Sequence, residues 1–146
     1  MERYNHSQFG VPLAIIIGGV AVLVLAGLYL NKEGFEVVGV VFLIMALILS
    51  LFYKLTIKVE NDIIRWAFGI GLINKQLAIS EIKSTQIVEN PWYCGWGIRM
   101  MSEGTLYNIS GFQAVNLELK DGTHIRLGTD DPHQLKVVID TYMSEK

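Results

Sequence analysis

Two long apolar runs open the pattern. No side chain carries a charge from Val11 to Leu30, and none does from Val37 to Tyr53. A helix crosses the hydrocarbon core with about 20 apolar residues, and about 17 suffice. Both runs reach that length, so the pattern predicts a hairpin of two transmembrane helices, over 11–30 and 36–53. The polar stretch from Asn31 to Glu36 joins them and is too short to hold a domain. A cleaved signal sequence is the competing reading of the first run. That run is longer than the roughly 7–15 residues of a signal core, and a second span follows at once, so an uncleaved hairpin is expected.

From Lys54 the period changes to two. Leu55, Ile57 and Val59 alternate with Lys54, Thr56, Lys58 and Glu60. Asn61-Asp62 then supplies a turn before a return strand over 63–69. Further strands are predicted over 72–79, 82–89, 98–101, 105–110, 114–120 and 123–129, with Asp121-Gly122 as a two-residue hairpin turn. Val115, Leu117 and Leu119 with Ile125 and Leu127 write one buried face. The end of the chain switches to helical spacing. Leu135, Val138, Ile139 and Tyr142 recur on one side, Pro132 sits in the first turn, and Asp131 is placed to cap it. The expected plan is a tail and membrane hairpin over 1–53, then a mainly-β domain over 54–146. That domain has about seven short antiparallel strands and one C-terminal helix over 132–144.

Charge narrows the partners. The chain of 146 residues is 51% hydrophobic and carries 12 Lys and Arg against 14 Asp and Glu, a formal net charge of −2. Only Arg3 and Lys32 precede Lys54, so the domain itself is nearly balanced. It has no polybasic cluster of the kind that binds nucleic acid or strongly anionic lipid. Arg3 before the first span, and Lys54 and Lys58 after the second, outweigh Lys32 in the linker. Both termini are therefore expected in the cytoplasm. No charge sits mid-span, which marks no ion or proton path. Small residues recur in both spans: Gly10, Ala14 and Gly18 in the first, Gly39, Ala46 and Ser50 in the second. They are expected to pack the two helices on each other, with a dimer through the same faces as the alternative.

Catalytic chemistry is not written here. Cys94 is the single cysteine, so the chain has no internal disulfide and no cysteine cluster for metal. His6, His124 and His133 have no ligand-spaced partners, and the Gly-x-Gly pairs at 69–71 and 95–97 do not open helices. No enzyme and no cofactor is expected. The densest motif is Asn-Pro-Trp-Tyr-Cys-Gly-Trp-Gly-Ile-Arg-Met, residues 90–100. Read as a strand, it turns Trp92, Cys94, Trp96, Ile98 and Met100 to the core. Read as a binding site, it sets Trp92 and Tyr93 at a membrane-facing rim, where amphipathic aromatics settle, with Trp96 beside them. Arg99 then meets a phosphate or a partner carboxylate, unless it pairs with an acid on the neighbouring strand.

Two apolar spans, then strands, then Trp-Gly-Ile-Arg (96–99) and the pattern from Ser110 to Leu135 containing Asp121-Gly122, Arg126 and Gly128-Thr-Asp-Asp-Pro132 make up a specific combination. It resembles the small bacterial membrane proteins that carry a bacterial pleckstrin-homology-like domain. The resemblance covers Tyr53 to Met143. It implies a barrel of two near-orthogonal sheets with a C-terminal helix, and it implies no activity. The expected function is a non-catalytic interaction module at the inner face of a bacterial membrane, binding a membrane-protein partner or a second copy through strand edges and rim loops. The alternative is a weak sensor of lipid headgroups.

Overall fold

The computed structural model describes residues 2–31 and 35–145. Lys32 lies outside them, and Arg3 is described only as backbone. In chain order the elements are β1 (Glu2–Phe9), α1 (Val11–Asn31), α2 (Phe35–Phe52), β2 (Lys54–Glu60), β3 (Ile63–Phe68), β4 (Ile73–Ala78), β5 (Ile82–Glu89), β6 (Gly97–Met101), β7 (Gly104–Asn108), β8 (Gln113–Leu119), β9 (His124–Gly128) and α3 (Pro132–Ser144).

The first correction concerns the tail. Residues 2–9 form a strand antiparallel to β2, in register from Glu2 opposite Glu60 to Phe9 opposite Lys54. Its inward side chains Tyr4 and Gln8 are buried. The helices are therefore inserted into the first β-hairpin, as the connection between β1 and β2. The junction is tight. The Gly10 N–H donates to the Tyr53 carbonyl at 2.8 Å, and a Cβ at Gly10 would stand 2.8 Å from the Phe52 carbonyl oxygen.

The segment Val11–Tyr29 of α1 is long and apolar enough to cross a membrane, and none of it is buried inside the molecule. The apolar part of α2, Glu36–Phe52, is shorter. The helices pack along a half-buried stripe of Leu13, Ile17, Ala21, Val24 and Leu28 on α1 and Val38, Phe42, Met45 and Leu49 on α2. Ala14, Gly18, Gly39 and Ala46 are exposed instead, and a Cβ on Gly18 or Gly39 would meet nothing within 4 Å. The expectation that these small residues join the two helices is thus corrected. The bulkier Leu13, Ile17, Val24, Leu28, Phe42, Met45 and Leu49 are the half-buried side chains instead. Gly10 serves the junction, and the Ser50 hydroxyl bonds back to the Leu47 carbonyl at 2.7 Å.

The rest is two stacked sheets. One has the order β1-β2-β3-β4, the other β5-β8-β9-β7-β6, and no ladder joins them into a closed barrel. The alternation in β2 and β3 works as expected, burying Leu55, Ile57, Val59, Ile64, Trp66 and Phe68. These meet Val115, Leu117 and Leu127 of the second sheet in one core. The Trp66 ring packs edge-on against Tyr107 at 5.2 Å, so β3 faces β7, and the outer strands β4 and β6 end on the same flank. On the other flank α3 lies over β5 and β1, with Leu135 and Ile139 fully buried. Asp131 holds the N-cap position without a side-chain cap bond. Its N–H donates instead to the Thr129 hydroxyl at 3.1 Å. One pairing departs from the antiparallel expectation, because β7 runs parallel to β9.

Candidate functional site

The Trp-rich run is a strap. The chain leaves β5 at one edge of the second sheet and enters β6 at the other, so residues 90–96 must cross the end of the sheet. Asn90 anchors the start. It is buried, its N–H donates to the Phe112 carbonyl at 2.6 Å, and its Oδ1 accepts from Arg126 Nη1 at 3.5 Å. Trp92–Cys94 then form one 3-10 turn, with the Cys94 N–H on the Pro91 carbonyl at 2.9 Å. Gly95 and Gly97 take φ of +63° and +102°, which only glycine adopts freely. The strand reading of 92–96 is therefore corrected. Trp92 and Tyr93 are 80% and 73% exposed, with their rings edge to face, and they do not enter the core. Met100 and Ile98 are exposed for a different reason. They lie in β6, the edge strand of the second sheet, on the flank away from α3.

Trp96 does not fill the interior either. It lines an apolar cleft of about 180 Å³ with Gly97, Ile109, Leu13, Ile48 and Phe52. The strap thus borders this cleft opposite the base of both helices, through a tryptophan that is 37% exposed.

Arg99 faces away from the core. It stands in register with Leu106, which pairs with Arg126, which pairs with Asn116. Its strand neighbour is thus a leucine and not an acid. Its guanidinium folds back over Gly95, 3.6 Å from where a Cβ there would sit. Arg126 is held by amides alone. Its Nε donates to Asn116 Oδ1 at 3.3 Å, and Asn116 Nδ2 meets His124 Nδ1 at 3.0 Å. Among the described residues neither arginine makes an ion pair. Two cations with β7 between them, neither in an ion pair among the described residues, form a surface suited to an anionic group.

A second apolar projection leaves the first sheet at the β3–β4 turn. Gly69 has φ of +53°, and its N–H donates to the Lys54 carbonyl at 2.7 Å. A Cβ on it would stand 2.2 Å from the Ser50 carbonyl oxygen and 2.4 Å from that of Leu51, so the turn lies against the last turn of α2. Ile70 and Leu72 are 64% and 71% exposed there. Phe112, whose carbonyl receives the Asn90 N–H, is exposed as well.

Sequence reasoning missed Ile70, Leu72, Phe112 and Arg126 as surface features. The available signal was apolar residues set between turn glycines, where polar ones are usual. The strongest displacement of a titrating group among the described residues is in β1 of the first sheet. Tyr4 is pushed up to about 12, chiefly by burial, with Asp131 and Asp130 adding to the rise. Thr129 lies close enough to oppose it, although the phenol makes no well-formed hydrogen bond. Among the described residues no three His, Cys, Asp or Glu side chains group around a metal position.

No protein-family model matches the chain, and no curated protein and no solved structure matches it.

Proposed function

We propose that this chain is a two-span protein of a bacterial inner membrane whose cytoplasmic, pleckstrin-homology-like domain is a non-catalytic module for binding another membrane protein or a second copy. The observation that carries the reading is the free edge of β6. It ends the second sheet, bears exposed Ile98 and Met100, carries the unpaired Arg99, and begins at the base of the helices. Such an edge accepts an extended segment by strand addition, with main-chain bonds for affinity and a nearby arginine to select an acidic residue.

The insertion of the helices between β1 and β2 supports retention of the hairpin. Cleavage after α1, as for a signal sequence, would remove β1 and uncover one edge of β2. The pairing of β1 with β2 supports a hairpin that keeps β1 and the rest of the domain on one side. Two sheets with a helix over one flank support the pleckstrin-homology-like comparison, with the other flank open rather than closed.

Photo-crosslinking in native membranes tests the reading, with the reactive group at Met100 and, for control, at Asp121 in the far β8–β9 turn. A discrete protein adduct from Met100 alone is expected. Only lipid adducts from Met100 would favour the second reading, a headgroup contact, which the two unpaired arginines support. Equal adducts from both positions would overturn the edge as the working surface.

A further inference from the structure

Exposed apolar side chains crowd one end of the domain, the end from which the helices leave. Ile70 and Leu72 come from the first sheet, and Trp92, Tyr93 and Phe112 from the second. Two observations set their level. Gly69 presses on the Ser50 and Leu51 carbonyls, beyond the start of β2. Trp96 shares one cleft with Leu13 and Ile48, and Ile48 lies about one helical turn, roughly 6 Å, inside the end of α2. Nothing here is a stalk, because Gly10 bonds to Tyr53 and Gly69 to Lys54 and together they clamp the domain to the helix ends.

We propose that this end of the domain is seated in the interfacial layer of the bilayer that its own helices cross, with Ile70 and Leu72 among the upper acyl carbons and Trp92, Tyr93 and Phe112 at headgroup depth. The inference rests on reading α1 and α2 as spans. Lipid is the occupant because these residues belong to different sheets and share a level rather than one continuous face. A plane touches all of them, whereas a single partner helix or strand reaches only one group. The charges agree. No charged residue occurs in 66–74 or in 90–98. One cation at this level is placed for phosphates: Lys54 Nζ lies 5.5 Å from the centre of the Tyr53 ring at the end of α2. Aromatic rings with flanking lysine or arginine are the usual anchors at this depth.

The test uses the full chain in vesicles of phosphatidylcholine and phosphatidylglycerol, with one environment-sensitive fluorophore per sample. Labels sit on the native Cys94 and, in a Cys94→Ser background, on Ile70→Cys, Leu23→Cys in mid-α1 and Asp121→Cys at the far turn. The expected result is several-fold stronger quenching by headgroup-proximal nitroxide lipids than by aqueous iodide at positions 70 and 94, and the reverse at 121. If 70 and 94 behave like 121 while 23 is quenched only by lipid, the domain stands off the membrane and the proposal fails alone. If 23 is also quenched by iodide, the spanning reading itself fails. If neither quencher reaches 70 and 94, protein covers them, and lipid is overturned as the occupant.

Discussion

Tyr4 shows what a single buried group contributes. It lies in β1, 6% exposed, with its hydroxyl near the Asp130–Asp131 pair at the start of α3. Burial holds the phenol protonated, and its pKa rises from the ordinary 10.0 to about 12. The folded chain therefore keeps a proton between pH 10 and 12 that the unfolded chain releases. The Tyr4 contribution is present in full below pH 10 and is lost as pH rises toward 12. Unfolding in detergent should thus show a larger loss of stability across that window for the parent than for Tyr4→Phe, by about 1–2 kcal/mol. Identical slopes would contradict the buried phenol. Nothing in the sequence flags Tyr4, because its burial depends on a helix more than a hundred residues away. Gly69 was equally hidden, since its role is set by carbonyls of α2 rather than by its own turn. Trp92 was misplaced for a local reason, the left-handed Gly95 and Gly97 that break the extended backbone.

At the scale of elements, most strands announced themselves. The alternation of Leu55, Ile57 and Val59 and the Asn61-Asp62 turn with φ of +49° and +63° appear where the pattern puts them. Asp121-Gly122 does turn the chain, but with Lys120 as part of the turn, closed by the Leu119 N–H on the Thr123 carbonyl, rather than as a two-residue turn. β1 did not. Its inward positions are Tyr4, His6 and Gln8, a polar face that reads as a tail until β2 is laid beside it. The parallel contact of β7 with β9 was also illegible, because turn chemistry specifies neighbours in sequence and not strands met after an excursion. The inserted hairpin yields a construction test. Phe9 pairs with Lys54, the position a two-residue turn would join. Replacing residues 10–53 with Asn-Gly should give a water-soluble domain with one cooperative unfolding transition. A fragment beginning at Lys54 lacks β1 and should unfold at markedly lower denaturant. Equal midpoints would show that β1 is dispensable.

The whole molecule is a β domain whose first hairpin has been opened to admit two apolar helices. That arrangement explains why the helices need no flexible linker and why one end of the domain carries exposed Trp92, Tyr93, Ile70 and Leu72. It also separates two working surfaces: the helix-proximal end, proposed for lipid, and the free edge of β6, proposed for protein. The apolar runs made both helices legible from the sequence, α1 at a length that can cross a membrane and α2 shorter. The open flank between β4 and β6 was not legible, since alternation marks a buried face without saying which strands end a sheet.

The central claim is that both helices cross the bilayer and leave β1 and the rest of the domain on one side. Accessibility to a membrane-impermeant maleimide tests it directly, in a Cys94→Ser background with single substitutions Ser7→Cys, Glu36→Cys and Asp121→Cys. The account predicts that position 36 labels in intact spheroplasts, and that positions 7 and 121 label only in inverted vesicles. Labelling of 7 and 121 from opposite faces, or of 36 from the same face as both, would contradict it.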